Sequence, residues 1–143
     1  MRLAKAWGYL HDGCIEQIDG SVPGELTVHV SIGYLRARFP SQGTGFVLRL
    51  AGCTLFEYEQ YDEPVCGDLQ RIVQYEPAFV SLKSDEPTIV QCSMGVLRMD
   101  YSALSICLDT GEPVTLADLH GACTGYWAEW KERMTASKAA QGK

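Results

Sequence analysis

The sequence predicts an α+β domain built mainly of antiparallel sheet, on three observations. Apolar residues alternate with period two through "ELTVHVSIGYLRARF" and "FVLRLAGCTLFEYEQY". Short strand-like runs recur between turn signals from residue 78 to 114. Only the C-terminal segment sustains a helical period. Together they predict one domain, 1–143, with six or seven strands in a mostly antiparallel sheet, strongly bent or partly closed. A C-terminal amphipathic helix packs on that sheet, and residues 136–143 form a flexible tail.

In order along the chain, Leu26, Val28, Val30 and Ile32 share one strand face, with Thr27, His29 and Ser31 on the other. After Gly33 the phase flips to Leu35, Ala37 and Phe39, the pattern of a bulge or bend, and "PSQGTG" then turns the chain. Phe46, Leu48, Leu50, Phe56 and Tyr58 line one face of the next run, which is long enough that a bend is expected at Gly52. Val47, Arg49, Cys53, Glu57 and Glu59 are read on the opposite face. A short helix follows with Asp68 as its N-cap and Leu69, Ile72 and Val73 as its apolar side. Three or four meander strands come next. In them Val90, Cys92 and Met94 share a face, then Leu97, Met99 and Tyr101, then Leu104, Ile106 and Leu108. Thr115 and Asp118 form an S/T-x-x-D start signal. Leu116, Leu119, Cys123, Tyr126, Trp127, Trp130 and Met134 then recur every three or four residues, one helical stripe running to about Met134. Trp127 and Trp130 are read as the anchor that seals the sheet, and Gly121 and Gly125 as points of close approach to the sheet surface.

Composition narrows the function. No apolar run reaches the roughly 20 residues that cross a bilayer, and "MRLAKAWGYLHDG" lacks the apolar stretch of a secretion signal, so the chain reads as cytoplasmic. The formal charge is −6, and it is localised. Residues 51–100 hold nine acids against three bases, while the flanking segments are close to neutral. That balance disfavours direct nucleic-acid binding and leaves room for a basic protein partner. The six cysteines (Cys14, Cys53, Cys66, Cys92, Cys107 and Cys123) are scattered with no CxxC, so all are expected to be reduced thiols without metal. Cys92 and Cys123 are expected to be buried and Cys66 the most exposed. His11, His29 and His120 match no ligand spacing, and "LHDG" reads as a turn at His11–Asp12–Gly13. No G-x-S-x-G and no phosphate-cradling loop is found, so neither catalytic residues nor a cofactor is assigned.

Taken together, "WGYLHDGCIEQIDG", "GELTVHVSIGYL", "FVLRLAGCTLFEYEQYD" and "YWAEWKE" resemble in layout the small acidic bacterial domains that open with an HDG-like turn. Several such families are identified with immunity proteins of polymorphic toxin systems. The resemblance implies a non-enzymatic protein-binding module that blocks a basic toxin at its active site or beside it. It transfers no functional residues. From the charge pattern itself, the expected contact surface is Glu57, Glu59, Tyr61, Asp62, Glu63 and Asp68. There carboxylates would steer a basic partner and Tyr61 would supply aromatic area. The alternative is a small-molecule binder or enzyme using the sheet interior, lined by Phe46, Tyr58, Met99 and Tyr101.

Overall fold

The computed structural model describes residues 4–141, with side chains through 136. In chain order its elements are α1 (Lys5–Tyr9), β1 (Cys14–Gly20), β2 (Gly24–Ser31), α2 (Gly33–Arg36), β3 (Gly45–Cys53), β4 (Leu55–Gln60), α3 (Leu69–Tyr75), β5 (Phe79–Asp85), β6 (Thr88–Cys92), β7 (Gly95–Asp100), β8 (Ala103–Leu108) and α4 (Leu116–Gln141). The strands form two four-stranded sheets, β1-β2-β3-β8 and β4-β7-β6-β5, and every pairing is antiparallel. The fold class is α+β as the sequence predicts, with eight strands where six or seven were expected.

The expected bend lies where the sheets meet. β3 runs into β4 and β7 into β8, and the two crossings are tied together by Thr54 N–H to Asp100 O (2.9 Å) and Ser102 N–H to Ala51 O (2.9 Å). At the far side Cys14 bridges to Ala78, so β1 approaches the start of β5 without closing a barrel. Between the sheets lie Leu26, Val28 and Val30 of β2, Phe46, Leu48 and Leu50 of β3, and Leu104, Ile106 and Leu108 of β8. Opposite them lie Phe56 and Tyr58, Val90, and Leu97 and Met99. Each such burial contributes about 1.5–3 kcal/mol before the entropy of ordering is subtracted. Trp7 of α1 is fully buried. It stacks edge-on against Phe79 at 5.5 Å and donates its Nε1–H to the Tyr101 hydroxyl at 3.2 Å.

Several expectations need correcting. The residues after Gly33 are helical, not a continued strand: Ile32, Leu35 and Phe39 fit a three-to-four spacing as well as an alternation, and α2 turns Leu35 into the core. Cys53 is fully buried and does not face outward. Gly52 adopts φ +59° where the ladder steps from Leu26–Leu50 to Gly24–Cys53, and the extra residue that this bulge leaves on β3 returns Cys53 to the buried face. Val47 does face outward, yet it is covered between its ladder partners His29 and Cys107.

The helical turn of α2 also places Arg36, whose side chain is wholly buried. Its Nε donates to Asp109 Oδ1 at 2.9 Å, Nη1 to Ser41 O at 2.6 Å, and Nη2 to Ser41 Oγ at 3.0 Å and Thr110 Oγ1 at 3.4 Å. Asp109 Oδ2 in turn accepts from Thr44 N–H (2.8 Å) and Gly45 N–H (3.2 Å). Gly43 lies directly over this pair; a Cβ there would come within 2.2 Å of the Asp109 carboxylate.

α4 begins as the sequence predicts, with Thr115 N–H to Asp118 Oδ2 at 2.9 Å and Asp118 N–H to Thr115 Oγ1 at 3.0 Å. It continues seven residues beyond Met134; residues 142–143 of the expected tail lie outside the described residues. The helix docks on α1 and α2. Leu119 is buried, Cys123 is half-buried with Sγ 3.2 Å from Tyr9 O, and Tyr126 stacks on Tyr34 at 4.4 Å. Trp127 and Trp130 do not seal the sheet: from Trp127 to Ala136 every side chain is exposed, because the body ends one turn earlier. Gly125 does admit a close neighbour, but it is the Arg38 guanidinium, which pairs with Glu129 at 2.6 Å. At Gly121 nothing approaches within 4 Å.

Candidate functional site

The acidic stretch that stands out in the sequence occupies β4 and the turn after it. Glu57 and Glu59 project from the outer face of β4, as expected from their alternation with the buried Phe56 and Tyr58. β7 supplies the counter-charge: Arg98 sits opposite Glu57 in the ladder and pairs with Glu59 Oε1 at 3.0 Å. With both groups partly exposed, that pair adds little stability, and its effect is to hold Glu59 in place.

Beyond Gln60 the chain reverses. Glu63 N–H donates to Gln60 O at 3.0 Å, and Asp62 sits at φ +65°, a left-handed conformation that Asp tolerates better than most residues. The chain then returns along the open edge of β4, where Tyr58 and Cys66 exchange both backbone hydrogen bonds at 2.9 Å. That return completes the edge at Tyr58 and leaves the turn 61–65 projecting from the end of the sheet.

Tyr61 is 53% exposed at the tip. Its N–H donates to Met94 O at 3.0 Å, which places it beside Met94 in the β6–β7 turn, itself 58% exposed. Gln91 Nε2 donates to the Tyr61 hydroxyl and to the carbonyls of Cys92 and Gly95 (both 3.0 Å), so one amide fixes both sides of the contact. Met94 is a correction, since alternation with Val90 and Cys92 placed it on a buried face. The two-residue turn Ser93–Met94 breaks that alternation, and Gly95 just after it is the signal that could have found the turn.

The remaining two carboxylates are committed to local structure. Tyr75 donates its hydroxyl to Glu63 Oε2, and this hydrogen bond to the carboxylate is the main cause holding the Tyr75 phenol above its ordinary pKa. Asp68 caps α3, as the sequence predicts, its Oδ1 accepting from Gln70 N–H (3.1 Å) and Arg71 N–H (3.3 Å). A cleft of about 260 Å3 lies alongside, lined by Pro64, Val65, Cys66, Gly67, Asp68, Arg71 and Tyr75. Of the six expected residues, then, Tyr61, Asp62 and Glu63 converge on one projecting turn. Glu57 and Glu59 lie on the adjoining strand, and Asp68 is turned to its helix.

The interior expected to hold a small molecule is occupied by protein. Phe46, Tyr58 and Met99 are at most 1% exposed and Tyr101 is 5% exposed, all within the core cluster. Burial pushes the Tyr58 phenol up to about 12. His11 holds the Val80 carbonyl at 2.7 Å in the Asp12 turn. Among the described residues, no three His, Cys, Asp or Glu side chains are grouped as a metal would require, and no helix is long and apolar enough to cross a membrane. All six cysteines are free thiols.

Fold and site together define a two-sheet α+β protein with an acidic face centred on a tyrosine and a methionine. No family model and no curated protein matches the sequence, and no solved structure matches the fold.

Proposed function

We propose that this chain is a non-enzymatic protein-binding module, most concretely an immunity-type inhibitor that engages a basic toxin through the face formed by Tyr61, Met94, Glu57, Glu59, Asp62 and Glu63. The observation that carries the reading is the adjacency of Tyr61 and Met94, 53% and 58% exposed, with carboxylates on the same turn and strand. An exposed aromatic–thioether pair inside a charged rim has the anatomy of an interface core, in which apolar anchors supply contact energy and the rim supplies orientation. The rim supports a basic partner specifically: carboxylates raise the rate of encounter with Lys- and Arg-rich surfaces, and the effect fades with salt. The half of the rim that is held in place, Glu59 by Arg98 and Glu63 by Tyr75, is ordered before the partner arrives.

The test begins with the gene immediately upstream: where it encodes a basic toxin domain, that domain is titrated against this chain by calorimetry. Glu59→Lys with Asp62→Lys should weaken binding more than about tenfold, and Tyr61→Ala by about as much. Unchanged affinity in both variants removes this face from consideration, and a neighbouring metabolic gene in place of a toxin removes the immunity reading.

A further inference from the structure

The apolar seam by which α4 docks does not stop where the body stops. Leu116, Leu119 and Cys123 pack at the core, and the same stripe continues as Trp127, Trp130 and Met134, which are 43–44% exposed. From residue 127 to 141 the helix runs for about 22 Å, and its side chains are exposed as far as Ala136. That length is marginal in water without packing along its apolar side. In heptad terms Trp127 and Met134 occupy a and Trp130 occupies d. Lys131 and Arg133 then fall at the flanking e and g positions, with Glu129 and Glu132 at c and f, away from the seam. Glu129 is in addition held by Arg38. The seam is therefore apolar with basic flanks. Two such seams facing each other would oppose like charges. Their complement is an apolar surface rimmed by carboxylates, and this chain carries one. Residues 1–126 hold sixteen acids and eight bases, whereas residues 127–143 hold two acids and four bases.

We propose that the free arm of α4 docks on the Tyr61–Met94 face of a second copy, each copy giving its arm and receiving the other's in a closed two-fold pair. Reciprocity supplies the area. Two tryptophans and a methionine per arm bury on the order of 300–400 Å2 on each side of one contact, and two such contacts reach the lower range of a specific interface. Closure also accounts for the heterologous character of each contact, which unpaired would propagate into a filament. The inference rests on the same face as the proposed function and goes beyond it: in the absence of toxin the face is covered by the second copy's arm, and a basic partner binds by displacing it.

Analytical ultracentrifugation of the full chain over a micromolar concentration series tests this. The wild type should move from monomer toward dimer, with the dimer weakened by added salt. Trp130→Glu, Lys131→Glu/Arg133→Glu and Asp62→Lys/Glu63→Lys should each weaken dimerisation by about tenfold or more. All the substituted side chains are exposed, and circular dichroism of each variant checks the fold. The decisive sample is an equimolar mixture of the second and third variants. There every arm again meets a face of opposite charge, and the dimer should return. A wild type that stays monomeric overturns the proposal. So does a dimer lost with the arm variants but kept with the face variant, which would mean that the arm docks elsewhere; toxin binding, read separately, would stand or fall on its own. A mixture that fails to re-form the dimer also overturns it.

Discussion

Arg36→Met removes the guanidinium that joins α2, the 41–44 loop and the end of β8. In the wild type that group makes hydrogen bonds of 2.6–3.4 Å to Asp109, Ser41 and Thr110 with its side chain fully buried. Removing one partner of a buried ion pair costs about 3–5 kcal/mol, chiefly because the other charge is left without compensation. Asp109 retains Thr44 and Gly45 N–H donors and is 28% exposed, which places the expected loss at the lower end, about 3 kcal/mol. Acid should narrow the gap. Burial pushes the Asp109 carboxyl up, but the Thr44 N–H, Arg36 and the Gly45 N–H together outweigh it and hold the group below its ordinary value. A depressed folded pKa stabilises above the unfolded carboxyl pKa of about 4, and that stabilisation is lost as pH falls through the folded value. Urea unfolding followed by tryptophan fluorescence should therefore show the full difference at neutral pH and a smaller one once the pH falls through the lowered folded value of Asp109. A loss under about 1 kcal/mol at neutral pH, or a difference that does not change with pH, would refute the assignment of this pair as a principal tie of the fold.

Three further outcomes are expected. Gly121→Ala meets open space in the interior of α4, so it should stabilise by about 1 kcal/mol in the same unfolding assay. Asp68→Ala deletes the α3 cap and should cost about 1 kcal/mol while also loosening the 64–68 cleft, visible as faster amide exchange at Gln70 and Arg71. Burial pushes the thiols of Cys14, Cys53, Cys92 and Cys123 up, Cys92 to about 12, so a disulfide reagent under native conditions should react first at Cys66, beside its cleft. All six thiols should become reactive on denaturation without reductant.

Much of the architecture was readable because local chemistry and tertiary context agree. Alternation identified the inward faces of β2, β3, β4, β7 and β8, Gly52 marked the bend, and Asp68 and the Thr115–Asp118 box marked two helix starts. The failures share a cause: they depend on what lies elsewhere in the fold. The stripe on α4 says which residues face one way, but whether Trp130 meets protein or solvent depends on the body stopping near Tyr126. Ile32, Leu35 and Phe39 satisfy a strand and a helix spacing alike, and only packing chose the helix. Nothing in the sequence announced Arg36 as buried, since its partner Asp109 lies seventy-three residues away. In the site, clustering of the acids was legible at once. Its apolar centre was not, because Met94 meets Tyr61 only where β7 pairs with β4, and only the turn before Gly95 exposes it.

The central claim is that the Tyr61–Met94 face is where a basic partner sits, and hydrogen exchange tests it without depending on any variant. Where the upstream gene encodes a basic toxin domain, amides of residues 57–63 and 93–95 in its complex should exchange more slowly than in the free chain held below the concentration at which it pairs, while those of β1 and the α1 turn stay unchanged. Protection confined to other surfaces, with 57–63 and 93–95 exchanging as in the free protein, would contradict the account.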